Sequence, residues 1–140
     1  MHNFSDKETM PTGRQDNPFS PKKRLKSFEY AFHGIRSFFL STPNAWIHLV
    51  ITALVIGASF YFHLSLIEWI AVIYCIGLVF TAEALNTAVE EWVDSMEPNF
   101  NEKAGRVKDI AAGAVLIAAI VAAIIGILIF GTRIYDLMVH

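Results

Sequence analysis

The chemistry-bearing part of this chain is the run Glu83-Ala-Leu-Asn86-Thr87-Ala-Val-Glu90-Glu91-Trp-Val-Asp94. Glu83, Asn86, Glu90 and Asp94 follow one another at spacings of 3, 4 and 4, which at about 100° per residue places them within roughly 80° of each other on a helix. Three carboxylates and an amide thus share one stripe. Like charges four residues apart repel on a bare helix, so a cation is expected to compensate them. The helix that carries them is otherwise apolar, and an ionisable group at mid-bilayer costs at least ~2.5 kcal/mol, which marks the stripe as a functional candidate. A carboxylate partly withdrawn from water at the level of lipid headgroups suits Glu83 to act as general base toward a hydroxyl. Carboxylates nearer the aqueous face suit Mg²⁺, which takes hard oxygen ligands and usually arrives with phosphates. Two plainer readings stand beside these: a polar seam between helices for Glu83 and Asn86, and a solvated helix end for Glu91 and Asp94.

Such a stripe has to be positioned by the rest of a 140-residue chain, which is one domain's worth. Hydrophobic residues make up 54% and charged residues 17%, with a mean hydropathy of +0.45. Soluble domains carry about 25% charge, so the composition points to an integral membrane protein. It excludes a disordered chain, and the net charge of -2 excludes a strongly basic nucleic-acid binder. The single cysteine, Cys75, forms neither an internal disulfide nor a zinc cage.

The apolar residues cluster into three spans. Ile110 to Phe130 is uncharged throughout, and about 20 such residues cross a bilayer core. No Asp, Glu, Lys or Arg occurs from Ser37 to Ile67, within which Ala45 to Phe62 reads as a further span. The uncharged segment between Glu68 and Glu83 is too short alone, so its helix is expected to continue to about Asp94, where Pro98 follows as a breaker. Ahead of these, Ser20-Pro21 reads as cap and first helical position. Leu25, Phe28, Phe32, Ile35 and Phe39 then recur at spacings of 3 and 4, opposite Lys22, Lys26, Glu29, His33 and Arg36. That pattern fits a helix lying in the membrane interface, or a soluble helix packing on a partner. The expected fold is therefore all-α, three transmembrane helices preceded by an amphipathic interfacial helix. Residues 1–19 read as a flexible polar tail, neither signal peptide nor foldable unit, and residues 20–140 as the membrane domain, with the surface helix at about 21–41 and spans at about 44–64, 67–94 and 107–131. Ten of the eleven Lys and Arg residues flank one side of these spans and only Arg133 the other. This asymmetry puts the N-terminus in the cytoplasm and the C-terminus outside. Ala114, Ala118, Ala122 and Gly126 offer small residues every four positions for close helix approach, either between subunits or within one.

Asn99-Phe-Asn-Glu-Lys-Ala-Gly105-Arg-Val-Lys108-Asp109 precedes the last span. Its basic groups could balance the acidic stripe beside a polyphosphate, or serve only as a positive-inside anchor. No P-loop or soluble-kinase signature occurs. The combination AEALNTAVEEWVD followed by GRVKD resembles the prokaryotic diacylglycerol kinase and undecaprenol kinase family, over about residues 20–132. The resemblance implies a homotrimeric, three-span enzyme of the bacterial cytoplasmic (inner) membrane. It would transfer the γ-phosphoryl of ATP to a lipid alcohol, diacylglycerol or undecaprenol, with Mg²⁺, at sites between neighbouring subunits on the cytoplasmic face. By that resemblance Glu83 is the catalytic base and meets the lipid substrate, Asn86 shapes the centre, and Glu90 holds the metal and the nucleotide. Asp94, Lys108 and Asp109 belong to the nucleotide site, and Lys23, Tyr30, Asn99, Phe100 and Asn101 approach ATP.

One position departs from the pattern. Members carry a metal-binding Glu shortly before the first span, where this chain has Thr42 in Ser41-Thr42-Pro43-Asn44-Ala45-Trp46. A neutral hydroxyl is a poorer Mg²⁺ ligand than a carboxylate, so the metal site is weaker, differently completed or defective. A catalytically weakened nucleotide- or lipid-binding homologue is the alternative this leaves open. A proton or cation pathway along the carboxylates is a further one, although Trp69 to Phe80 continues it with only Tyr74 and Cys75.

Overall fold

The computed structural model describes residues 21–97 and 101–139, the side chains of Lys22 and Lys23 excepted. The expected tail, the Ser20 cap, the breaker Pro98, and Lys23, Asn99 and Phe100 as nucleotide contacts lie outside what it describes. Four helices follow in order: α1 (Pro21–Ser41), α2 (Pro43–Tyr61), α3 (Leu66–Met96) and α4 (Glu102–Val139). The last three are each long and apolar enough to cross a membrane, and no strand occurs among the described residues. The chain divides into two units, Met1–Gly34 and Ile35–His140.

In the first unit, Leu25, Phe28 and Phe32 are all exposed along one stripe of α1, as the amphipathic pattern requires of a helix whose apolar face meets lipid. The second unit holds the end of α1 and the three spanning helices. A single extended residue, Thr42 (φ -111°, ψ 106°), joins α1 to α2. Its N–H closes the last turn of α1 on the Phe38 carbonyl, and its own carbonyl accepts the first α2 bond from Ala45. Pro43 imposes this conformation, since the residue before proline is driven out of the helical region and proline itself suits a first helical position. The last turn of α1 leans on α3 through Phe39 and Phe80, whose rings lie 5.7 Å apart.

At the other end of α2, the chain reverses through His63, a non-glycine residue with φ 50°. Leu64 N–H returns to the Ser59 carbonyl and His63 N–H to that of Phe60, the paired bonds that close a helix C-terminus on a left-handed residue. Leu64 is buried beneath them. α3 then opens with a capping box: Ser65 accepts from Glu68 N–H, and Glu68 reaches back to Ser65 N–H at 2.7 Å.

α3 and α4 form the principal packed pair, and α2 lies more lightly on α3. Val72, Cys75, Val79 and Val93 of α3 and Ala118 of α4 are buried, while Ile117, Ile124, Ile127 and Leu128 face outward. An ion pair closes each end of the antiparallel pair. Lys108 grips Asp94 at 2.8 and 3.1 Å, and Arg133 grips Glu68 at 3.1 and 3.0 Å. α4 is longer than its apolar core demands, running past Arg133 to Val139. The small residues of α4 do not form one flat seam. Successive steps of four residues drift by about 40° each, so Ala114 and Ala118 line a groove beside Asn86, and Ala122 and Gly126 line another beside Cys75.

Candidate active site

The start of α2 and the second half of α3 enclose a cavity of about 240 Å³ lined by Ser41, Thr42, Pro43, Asn44, Glu83, Thr87, Glu90, Glu91 and Asp94. α3 passes through Glu83 without interruption, so its helical period presents the acids to α2 over roughly 16 Å of axis, from Glu83 to Asp94. Glu83 is the most enclosed of them: the residue is 2% exposed, and its Oε1 has no hydrogen-bond partner. A buried, unsatisfied carboxylate oxygen is costly, and its position on the cavity wall marks it as an acceptor awaiting a donor.

Three of the four stripe residues, Glu83, Glu90 and Asp94, meet in this cavity. Asn86 turns instead toward α4, where it lines the groove with Ala111, Ala114 and Ala118. It reaches the site through its amide, which donates to Glu90 Oε1 at 2.9 Å. Its own Oδ1 is buried without a partner. The expected cation for the stripe is Lys108, delivered by α4 to Asp94 at 2.8 Å. Asp109, next along α4, is exposed. Asn101 sits just before α4, and its Oδ1 accepts from Lys103 N–H at 2.9 Å, a helix-capping bond. Tyr30 is exposed in the first unit.

Five residues of the cavity were not among the sequence candidates: Ser41, Pro43, Asn44, Thr87 and Glu91. Thr87 donates to the Glu83 carbonyl at 3.0 Å and lies 3.3 Å, hydroxyl to hydroxyl, from Thr42. Thr87 and Glu91 stand four and eight residues after Glu83, the helical spacing that brings them to the same wall. Among the described residues, no three His, Cys, Asp or Glu side chains are grouped so as to hold a metal ion.

The geometry joins a carboxylate with an open acceptor, further acids at a helix end, and a lysine. Against known sequences, the profile described as prokaryotic diacylglycerol kinase matches residues 29–130, a stretch that includes the whole cavity and Lys108. The chain belongs to the prokaryotic diacylglycerol kinase family. It is 39% identical over 106 residues to the undecaprenol kinase of Bacillus subtilis (strain 168), covering 76% of this chain and 86% of that one. It is 41% identical over 103 residues to the diacylglycerol kinase of Synechocystis sp., covering 73% of this chain and 59% of the relative. The diacylglycerol kinase of Escherichia coli (strain K12) is 31% identical over 100 residues, 71% and 82% of the two chains. Membership makes the chain an integral membrane enzyme of the lipid kinase class, with a nucleotide-dependent reaction.

Proposed function

We propose that this protein transfers the γ-phosphoryl of ATP to the hydroxyl of a membrane lipid alcohol, diacylglycerol or undecaprenol, at the cytoplasmic face of the bacterial inner membrane. The observation that carries the reading is the enclosed, unpartnered Oε1 of Glu83 on the wall of a carboxylate-lined cavity. That oxygen accepts the proton of the lipid hydroxyl as it attacks, and the surrounding apolar helix keeps bulk water from competing. Phosphoryl transfer depends mostly on position and on neutralised charge, which a small helical protein can supply without a P-loop.

The donor set suits Mg²⁺, since it is all hard oxygen and the ion is ordinarily held by one or two carboxylates together with substrate phosphates. Glu90 would hold it, with Asn86 fixing the Glu90 carboxylate through the 2.9 Å amide bond. When bound, Mg²⁺ neutralises charge on the phosphates. Lys108, carried on Asp94, brings an ammonium to the same end of the molecule, where it stabilises phosphate oxygens. Asp109, Asn99 to Asn101, Lys23 and Tyr30 complete the nucleotide site in this reading. The cytoplasmic orientation rests on the ten-to-one distribution of Lys and Arg. Assembly as a homotrimer, with sites between subunits, rests on the family resemblance.

The test is transfer of label from γ-labelled ATP with Mg²⁺ in detergent–lipid micelles, offering diacylglycerol and undecaprenol separately. The wild type is expected to label one of the two lipids. Glu83→Gln, with unchanged helicity, is expected to lower the rate by about 10²-fold or more, the size of a positioned general base. A folded wild type that binds nucleotide but labels neither lipid would overturn the reading in favour of a binding homologue.

A further inference from the structure

The acids of the cavity face Ser41, Thr42, Pro43 and Asn44, at the junction of α1 and α2. The hydrogen-bonding groups of this neutral wall can be followed one by one. Ser41 gives its hydroxyl proton to the Ser37 carbonyl at 2.9 Å. Thr87 gives its own to the Glu83 carbonyl, so it is Thr42 that donates across the 3.3 Å gap between the two threonine hydroxyls. Thr42 stands at the N-cap position of α2 but makes no side-chain cap. Pro43 has no N–H to offer, and the N–H groups of Thr42 and Ala45 are taken by the carbonyls of Phe38 and Thr42.

What is left is Asn44. Among the described residues, nothing accepts from its backbone N–H or from its side-chain amide, and the residue is exposed, so both are within reach of a ligand. The N–H is one of the donors that a helix start leaves unbonded, at the positive end of the helix dipole. The remaining side chains of the cavity, Glu83, Glu90, Glu91 and Asp94, are carboxylates and only accept. A ligand that satisfies both walls therefore brings a donor to α3 and acceptors to α2. The donor is required by Glu83, 2% exposed with its Oε1 unpartnered. A cavity of about 240 Å³ sets donor and acceptors side by side, and a hydroxyl meeting a phosphoryl group is such a pair.

We infer that Asn44 binds the γ-phosphoryl group of the nucleotide, through its side-chain amide and the open N-terminus of α2. This rests on the lipid kinase reading. As the lipid oxygen bonds to the γ-phosphorus, its proton passes to Glu83, and the bond from phosphorus to the β–γ bridging oxygen breaks with ADP keeping the electron pair. The charge in transit is spread over three equatorial oxygens, which need donors on the side away from the acids. Asn44 is the residue of that wall with donors still to give.

The test compares binding of a non-hydrolysable ATP analogue and of ADP, each with Mg²⁺, to the full-length protein in detergent. Calorimetry is run on wild type, Asn44→Ala and Asn44→Asp, with the thermal midpoint of each as a check on folding. Asn44→Ala is expected to weaken analogue binding by about tenfold, the size of a lost hydrogen bond to a charged group. ADP, which lacks the γ-phosphoryl, is expected to bind as before. Asn44→Asp is expected to lose more, because it sets a further carboxylate beside the phosphate, while an acid in the first turn suits the helix start. Analogue affinity equal to wild type in either folded variant overturns the inference. An equal loss for ADP overturns it too, since Asn44 would then meet another part of the nucleotide. Assaying the same samples for labelled lipid separates the two readings. Wild-type lipid phosphorylation with analogue affinity indifferent to Asn44 overturns this inference alone, whereas a wild type that labels no lipid overturns the kinase reading and the role of Asn44 in transfer with it.

Discussion

The amide of Asn86 donates to Glu90 while its carbonyl oxygen lies buried beside α4 without a partner. Removing the donor and the orphaned oxygen together separates the functional bond from the packing. Asn86→Leu frees the Glu90 carboxylate, so lipid phosphorylation is expected to fall about 10- to 100-fold and the Mg²⁺ needed for half-maximal rate to rise. Thermal stability is not expected to fall in step, because an unsatisfied buried oxygen is itself a penalty of about 1–3 kcal/mol. An unchanged Mg²⁺ requirement in a slower enzyme would assign Asn86 to packing. Glu83, Glu90 and Asp94 are legible in the sequence because helical period alone decides that they share a face; that so strong an acidic stripe needs a cation is legible too, but only the fold picks Lys108 for it from the basic residues before the last span. Thr87 and Glu91 are not. A threonine within a helix and a second glutamate near its end look ordinary until the fold brings Thr42, 45 residues before Thr87, against that threonine. The direction Asn86 takes is equally hidden, since it sits at the edge of the stripe and α4 decides which side it joins.

At the level of elements, the composition and the apolar runs foretell three spanning helices, and a helix continuous through its own acids follows from the shortness of the uncharged segment. What pattern cannot supply is how the helices are joined and turned. The α2–α3 reversal is built on His63 at φ 50°, a conformation that costs an L-residue about 1–2 kcal/mol and glycine very little. A left-handed residue is usually signalled by Gly or Asn, and neither stands here, so the sequence gives no warning of it. His63→Gly is expected to stabilise the protein by about 1 kcal/mol, read as a higher midpoint of thermal unfolding in detergent, with lipid phosphorylation unaltered because the turn lies at the end of α2 remote from Thr42. A lower midpoint would mean that the imidazole makes a contribution larger than the backbone strain it imposes.

For the molecule as a whole, the two ion pairs set a length. Glu68 and Asp94 are 26 residues apart on one helix, or about 39 Å at 1.5 Å per residue. That exceeds the roughly 30 Å hydrocarbon core and falls just short of the 40–45 Å that includes the headgroups, which puts both pairs at headgroup level. Thermal stability in vesicles of graded acyl-chain length is therefore expected to peak near a 30 Å core and to fall on both sides, as mismatch drags one pair or the other toward hydrocarbon. A midpoint that climbs steadily with thickness would sink this reading. The same two pairs have a mechanical consequence. Clamped at both ends, α3 and α4 act as a strut: slippage by one turn, about 5.4 Å, would break both clamps at once. The acids stay at a fixed height on that strut. α2, joined to α1 by the single extended residue Thr42 and resting lightly on α3, is the less firmly held member, so a change in the cavity's width would come from its neutral wall rather than from the acids.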